Sequence, residues 1–370
     1  MAVEMGCAGG RMMGHFGSKL KVLNLRECSI SKTPDFSAFP SLESLILESC
    51  GELVWVDSIV LLKNLILINL RRCWRLEKLP EQLGSMESLV ELLIDDTRVK
   101  ELPILRASVG SLVNLRRLSL SHSGVEELPN SIGQLTSLVE LILTGTDIRS
   151  CLPGNLGSLK KLKVLDASWS PLMATEYQII SDEILSLSSL RVLKLNMVKS
   201  LLADMSTLSC LETLYLFKTD LQTLPELPSS LISLTVRLAS ALTSLNLANL
   251  VNLKELILDE NWKLKELESV SSFSKLERMA LYSVEISTLP EEIELESLQK
   301  LDISSCRSLR KLPNLSKLQR LELFSMSDCE SIMEIPGLEE LSNLRELNIF
   351  GCKALKLPDL SKQQSVTLRT

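Results

Sequence analysis

Two histidines, His15 and His122, and nine cysteines are the residues from which nucleophilic or metal chemistry would have to be assembled. His15 lies in a glycine-rich start and His122 follows a short apolar segment. Neither stands at a spacing from a cysteine or serine that suits a nucleophile and its base. Cys28, Cys50, Cys73, Cys306 and Cys352 recur at one place, the end of a short leucine-rich segment, and Cys329 falls near that place. Thr97, Ser123, Thr146, Thr219 and Asn261 occupy it in other copies. A position shared by Cys, Thr, Ser and Asn asks for a small inward side chain with a weak donor, which is a packing role. A zinc site needs ligands that converge tetrahedrally, whereas these would line up along an axis. The chain has no GxxxxGK[ST] loop to cradle a nucleotide. Acidic pairs such as Asp95-Asp96 and Asp259-Glu260 read as solvated carboxylates. The expectation is therefore no catalysis, no cofactor, no metal and no small-molecule substrate.

The elements that carry these residues are repeated. The pattern LxxLxLxx(C/T/S/N) opens with LKVLNLREC (Leu20 to Cys28) and continues through LESLILESC, LILINLRRC, LVELLIDDT, LRRLSLSHS and LVELILTGT. LKVLDASWS, LRVLKLNMV and LETLYLFKT follow, then weaker copies from Leu231 and Leu253 and four more from Leu276, Leu298, Leu318 and Leu344. Fifteen copies from Leu20 to Leu344 repeat every 23 residues or so, inside the window for leucine-rich repeats, about 20–29 residues. Within LxxLxL the apolar fourth and sixth residues alternate with polar ones, the period of a strand with one buried face. One coil cannot bury its own leucines, so stability must come from stacked neighbours. Leu-Pro pairs at Leu79-Pro80, Leu102-Pro103, Leu128-Pro129, Leu152-Pro153, Leu224-Pro225, Leu289-Pro290 and Leu312-Pro313 mark the chain leaving the strand, since proline cannot donate to a ladder. The spacing predicts an α/β fold: a leucine-rich-repeat solenoid curved as a horseshoe. About 15 parallel strands would line its concave face, with short helices, 3-10 turns and loops on the convex face. The long step from Leu162 to Leu190 leaves room for a helix in ATEYQIISDEILSLSS, capped by Ser181 or Asp182. Residues 1–17 read as an irregular leader, 18–358 as the repeat array, and 359–370 as a partial or truncated last repeat, because SVTLRT starts another strand.

Hydrophobic residues make up 45% of the 370, yet aromatics only 4%, so the core is aliphatic. The net charge of −6 lacks the basic surplus that nucleic acid requires. No uncharged run is long enough to cross a membrane, and the N-terminus has no apolar signal segment. One glycosylation sequon, Asn314-Leu315-Ser316, occurs. An extracellular receptor of this type would carry a signal sequence, several sequons and paired cysteines. The expected compartment is the cytoplasm, with the nucleus second. Nucleic acid and membrane are not expected partners.

A binding surface is expected where the third, fifth and seventh residues of each copy face outward. Five of the 14 aromatics take such positions, Tyr215, Phe217, Tyr282, Phe324 and Phe350, and none occurs there in the first eight copies. Propensity for strands alone would distribute them over both halves, and aromatics are common anchors of interfaces. Arg237, Arg278, Lys300 and Arg320 interleave with them. Arg26 and Arg71, with Arg72, form a basic patch in the N-terminal half beside acidic Glu91, Asp95 and Asp96. The basic-aromatic half suits an acidic peptide or a flexible loop.

The run KVLNLRECSISKTPDFSAFPSLESLILESC, followed by LINLRRCWRLEKLPEQLGSMESLVELLIDDT, resembles the repeat domain of plant intracellular disease-resistance proteins. It is most similar to the class in which a Toll/interleukin-1-receptor-like domain and a nucleotide-binding domain precede the repeats. The elements PDFSxxPSLExL and LxxCxxLxxLP carry the likeness, which extends over about residues 18 to 358. The resemblance implies a protein partner: a pathogen effector, a guarded host protein, or the nucleotide-binding domain that such repeats help hold off. It does not carry nucleotide-switch or NADase activity over, because the upstream motifs are missing from this sequence. The LPxxIGxL segment from Leu128 to Leu135 supports an alternative, a signalling scaffold similar to the Ras-group leucine-rich-repeat proteins.

Overall fold

The computed structural model describes residues 2–4, 19–57, 59–102, 112–148, 152–168, 178–179, 182–200, 204–268, 273–289, 295–360 and 367–369. The chain divides into two compact units. Unit 1 comprises Met1–Thr175 with Ile180–Leu190, and unit 2 comprises Glu176–Ile179 with Arg191–Thr370.

In unit 1, β1 (Ala2–Glu4), β2 (Val22–Asn24), β3 (Ser44–Ile46), β4 (Leu67–Asn69), β5 (Glu91–Leu93), β6 (Arg117–Ser119), β7 (Glu140–Ile142) and β8 (Val164–Ala167) follow one another. Each pairs in parallel with the next. The strand Ala2–Glu4 thus falls within the leader segment. The register aligns the fourth residues of the copies, and Leu23, Leu45, Ile68, Leu92, Leu118, Leu141 and Leu165 are all fully buried. A fully buried aliphatic side chain of this size contributes roughly 1.5–3 kcal/mol, and here each depends on the coils beside it.

Unit 2 contains β9 (Gln178–Ile179), β10 (Val192–Asn196), β11 (Val198–Ser200), β12 (Thr213–Phe217), β13 (Ser233–Arg237), β14 (Ser244–Asn246) and β15 (Glu255–Asp259). It continues with β16 (Glu266–Glu268), β17 (Arg278–Tyr282), β18 (Lys300–Ser304), β19 (Leu323–Ser327), β20 (Glu346–Phe350) and β21 (Thr367–Arg369). The main ladder runs β10, β12, β13, β15, β17, β18, β19, β20, β21, all parallel. Two small parallel sheets, β9 with β11 and β14 with β16, stand apart from it. β21 lies in the segment read as a partial repeat.

After the seventh residue of the copies whose turn is described, the backbone passes through the left-handed region. Glu27, Ser49, Arg72, Asp96, His122, Met197, Lys218, Leu238, Glu260, Ser283, Ser305 and Asp328 have φ between 50° and 61°, and Gly145 and Gly351 share the place. A non-glycine residue there costs about 1 kcal/mol or more. A hydrogen bond made by the same residue offsets part of it: Glu27 N–H donates to the Glu48 carbonyl at 2.8 Å, and Arg72 N–H to that of Asp95 at 2.8 Å. The turn aims the ninth side chain inward. Cys50 Sγ donates to the Leu25 carbonyl at 3.0 Å and Cys73 Sγ to that of Leu47 at 3.1 Å. Asn261 does more, with Nδ2 donating to the Val236 carbonyl at 2.9 Å while Oδ1 accepts from the Ala239 N–H at 3.0 Å.

On the return path Pro80, Pro129 and Pro153 sit immediately before the 3-10 helices Glu81–Ser85, Asn130–Gln134 and Gly154–Ser158. Each proline carbonyl accepts the N–H three residues on, so the residue that cannot donate serves as the first acceptor. Gly133 is required by a close approach: a Cβ there would stand 2.4 Å from the Asn155 carbonyl oxygen. The helix expected in ATEYQIISDEILSLSS is not an α-helix. Gln178–Ile179 is a strand and Asp182–Ser186 a 3-10 helix, while Ser181 and residues 174–177 lie outside the described residues. The buried Ile184 takes the place that Ile132 and Leu156 hold in earlier coils, and a 3-10 turn, which rises faster per residue, fits so short an arm.

One copy is displaced from its expected frame. LSKLQRLELF offers LxxL from Leu315 and from Leu318, and LxxF from Leu321. The ladder pairs Leu301 with Phe324 and Ile303 with Met326, so the copy begins at Leu321. That frame buries Phe324, Met326 and Cys329 together, which a start at Leu318 cannot do. Cys329 is therefore an ordinary ninth residue.

Candidate functional site

The displaced frame corrects two of the expected surface residues. Phe324 is a fully buried fourth-position side chain, in line with Leu301 and Leu347. Arg320 is exposed but precedes β19, in the turn that leads into it. Both leave the open face. Tyr215, Phe217, Arg237, Arg278, Tyr282, Lys300 and Phe350 occupy strand positions on it.

In unit 2 the register brings these residues into rows. Phe217, Arg237, Asp259 and Tyr282 are successive partners across β12, β13, β15 and β17. Tyr215 and Phe217 lie two apart on one strand and therefore on one side. Their rings stack at 6.5 Å between centroids and 8° between planes. The Arg237 Nε donates to Asp259 Oδ2 at 2.7 Å. Burial works against the Arg237 charge, but Asp259 and a hydrogen bond with Tyr215 outweigh it and raise its pKa. One guanidinium thus links the aromatic pair to an acid in the next coil. Arg278 Nη1 donates to Glu255 Oε1 at 3.0 Å, and Ser233 Oγ donates to Glu255 Oε2 at 2.9 Å. Burial, with the Asp302 charge, pushes the Tyr282 phenol up. Burial also raises the Asp302 carboxyl despite the nearby Arg278 and Lys300. Phe350 stands on β20 with 67% of its surface exposed.

The expected basic character does not survive the pairing. Arg237 and Arg278 are neutralised by acids one coil away. The open face of unit 2 is an aromatic surface with paired charges rather than a cationic one.

The open face of unit 1 differs. Arg26 pairs with Glu48 at 3.2 Å and Arg71 with Asp95 at 2.6 Å, so the expected basic patch dissolves into cross-coil ion pairs. Asp95 is buried and also accepts from the Ser119 hydroxyl and, at 3.1 Å, from Ser121 N–H. Burial alone would raise its carboxyl; the Ser119 and Arg71 hydrogen bonds, the Arg71 charge and Ser121 reverse this and hold it below the ordinary range. The side chains between these pairs are aliphatic or small: Ile46, Leu93 and Ile142.

No group of three His, Cys, Asp or Glu side chains is placed to hold a metal ion among the described residues. None of the described cysteines is in a disulfide, and Cys210 is the exposed one. Burial pushes Cys73 up to about 12. His122 is exposed at the left-handed turn, and His15 lies outside the described residues. A groove of about 1060 Å³ on unit 1 lies between Glu77, Lys100, His122 and Asp147; acids and bases share its walls, so it presents no field of one sign. No helix among the described residues is long and apolar enough to cross a membrane.

The strand-by-strand reading missed the tryptophans. Trp55, Trp74 and Trp262 are all more than half exposed, and none is on the open face. Trp74 and Trp262 directly follow the inward ninth residues Cys73 and Asn261. That adjacency was the available signal, because the side chain after an inward one points out.

Residues 19–174 match the family model of a leucine-rich repeat region. The Arabidopsis thaliana protein SUPPRESSOR OF npr1-1, CONSTITUTIVE 1 is 31% identical over 326 residues. That match covers 77% of this chain, which spans about a fifth (21%) of the relative. A leucine-rich-repeat protein of Leptospira interrogans superposes with TM-score 0.66 at 22% identity, covering 95% of this chain and 96% of that one. The ectodomain of the Arabidopsis receptor kinase HAESA, solved with the peptide hormone IDA and the co-receptor SERK1, gives TM-score 0.58 at 20% identity. It covers 95% of this chain and 67% of that one. The fold is a parallel-strand leucine-rich-repeat solenoid, an architecture that typically serves protein interaction.

Proposed function

We propose that this chain is the recognition module of a plant intracellular immune receptor, and that the open face of unit 2 holds its protein ligand. The observation that carries the proposal is the stacked Tyr215–Phe217 pair with Tyr282 three strands along the same row, the intervening charges paired as Arg237–Asp259 and Arg278–Glu255. Stiff aromatics whose polar neighbours are already paired bury area at small entropic cost, which is what an interface anchor requires. The ligand is a pathogen effector, a guarded host protein, or the nucleotide-binding domain of the same receptor. The disease-resistance-like PDFS and cysteine-type copies and the similarity to the Arabidopsis protein support this reading. Repeat ectodomains of like fold that hold peptides support a protein or peptide as the class of occupant. The compartment is the cytoplasm, with the nucleus second.

The test is to immobilise the chain and measure binding of candidate effectors and nucleotide-binding domains from the same source. Tyr215→Ala combined with Phe217→Ala should weaken binding by about tenfold or more. Unchanged affinity would remove the unit 2 face as the site. Capture of small GTPases or phosphatase subunits instead would favour the Ras-group-like scaffold, which rests on the LPxxIGxL segment from Leu128 to Leu135.

A further inference from the structure

The second residues of the copies, on the edge where the chain enters each strand, carry different charge patterns in the two units. In unit 2 the charged ones all close ion pairs between neighbouring coils: Arg191 with Glu212 and Lys254 with Glu277 at 2.8 Å, and Arg345 with Glu322 at 3.1 Å. In unit 1 Lys21 and Glu43 do the same at 2.7 Å. The row then continues through Ile66, Val90, Arg116, Val139 and Lys163, each N–H donating to the carbonyl of the row member before it at 2.7–2.8 Å. Arg116 thus has valines on both sides and Lys163 follows one, and neither closes an ion pair among the described residues.

The whole edge is cationic here. Between the turn into each strand and its third residue, the coils of Leu115, Leu138 and Leu162 hold Arg116, Arg117, Lys160, Lys161 and Lys163 against Glu140 alone. Glu140 is taken by Arg117 at 3.2 Å, and Lys160 donates to the Ser186 carbonyl at 2.8 Å. Two more acids lie one coil back: Glu91 is in register with Arg117, and Glu87 stands at the place that Lys63 takes in the coil before it. Cations therefore outnumber acids on this edge, although the chain as a whole stands at −6. A groove of about 650 Å³ runs along it, lined by Arg116, Lys161 and Ser137 and, further along, by Val90 and Ile66. Its one acid, Glu43, is the carboxylate already taken by Lys21.

We infer that this groove binds a phosphorylated, extended segment of a protein partner. Its phosphate sits among Arg116, Lys161 and Lys163, and its neighbouring apolar side chains lie on Val90 and Ile66. Arg116 and Lys161 rise from coils roughly 10 Å apart, on either side of the coil of Ser137, so their long side chains reach one common point. A phosphomonoester puts nearly two charges and three acceptor oxygens at such a point, where a carboxylate brings one charge. The forked donors of arginine match those oxygens. From Glu43 to Lys161 the groove crosses five coil steps, roughly 24 Å, the span of about seven extended residues. Ile66, 42% exposed, gives a peptide apolar contact that free phosphate cannot use. The site belongs to unit 1 and does not rest on the reading of the unit 2 face.

A fluorescent peptide with one phosphoserine beside leucines at alternate positions, titrated into the whole chain next to its unphosphorylated form, tests this. The phosphorylated form should bind about tenfold more tightly at low salt, and the advantage should shrink as salt is added. Arg116→Glu with Lys161→Glu should abolish that preference, and Ile66→Ser should weaken both forms by about threefold. All three side chains are exposed, so the variants should melt as the parent does. Tyr215→Ala with Phe217→Ala should leave this binding unchanged, which separates failure here from failure of the unit 2 face. No binding of the phosphopeptide, equal binding of both forms, or a preference that survives the charge reversal overturns the inference. Phosphatidylcholine vesicles carrying a phosphoinositide that bind more tightly than the phosphopeptide would also overturn it, in favour of a lipid headgroup.

Discussion

The open faces of the two units are built on the same positions of the same repeat and carry different chemistry. In unit 1 the outward rows hold ion pairs and aliphatic side chains, and Asp95 is locked by Arg71, Ser119 and Ser121. In unit 2 the rows hold a stacked Tyr215–Phe217 pair, Tyr282 and Phe350, with the arginines neutralised beside them. Behind both faces the fourth and sixth residues are apolar and nearly all aliphatic, with Phe324 an aromatic among them. The scaffold depends on the inward residues alone, which leaves the outward ones free to differ, and only unit 2 uses that freedom for large amphipathic rings.

The largest expected effect tests whether the two cores are equivalent. Leu118→Asp in unit 1 and Leu193→Asp in unit 2 each put a charge at a fully buried fourth position, at a cost of several kcal/mol. Urea denaturation should show comparable losses; a variant that melts like the parent would mean that its strand does not bury that residue. Next come the ninth positions. Asn261→Ala leaves the buried Ala239 N–H and Val236 carbonyl unpaired and should cost about 2 kcal/mol. Cys50→Ala in unit 1 removes one weak S–H donor and should cost about 1 kcal/mol or less. Equal losses would deny that the amide does more than the thiol.

Two carboxylates give a smaller contrast of opposite sign. The Asp95 pKa is lowered in the folded chain, so its stabilisation is complete above the ordinary carboxylate range and is lost as pH falls through the folded value. The Asp302 pKa is raised, so its ionised form costs stability at neutral pH, and acidification through that raised value relieves the cost. Asp95→Asn should therefore lower the urea midpoint at neutral pH and Asp302→Asn should raise it slightly; shifts of the same sign would break the contrast. The smallest effect concerns the left-handed turns. Arg72→Gly removes the side-chain conflict at φ 57° but gives the unfolded chain more freedom. The net result should be a stabilisation of at most about 1 kcal/mol, read as a small rise in melting temperature.

Most of the ladder was legible because LxxLxL commits a strand's face and its neighbour at once. The frame slipped where the leucines became too regular. At Leu315, Leu318 and Leu321 the spacing of three permits several starts, and only the joint burial of Phe324, Met326 and Cys329 selects one. Arg320 and Phe324 were misassigned for that reason. The surface charges were visible as residue types, but the cross-coil pairing that cancels Arg26, Arg71, Arg237 and Arg278 depends on which residues become neighbours across the ladder. The exposed tryptophans fall outside the strand pattern, and for Trp74 and Trp262 the signal is their place directly after the inward ninth residue.

The sequence alone determined that the chain coils, which residues point inward in nearly every copy, and that aromatics gather on the outward positions of the C-terminal half. Those follow from local alternation and from a period that repeats. Tertiary structure decided the frame at Leu321, the left-handed turns of the repeats, the partners of Arg26, Arg71, Arg237 and Arg278, and the setting of Trp55 between Lys32 and Lys78. Each of these is a relation between residues about one coil apart, and only stacking of the coils brings them into contact.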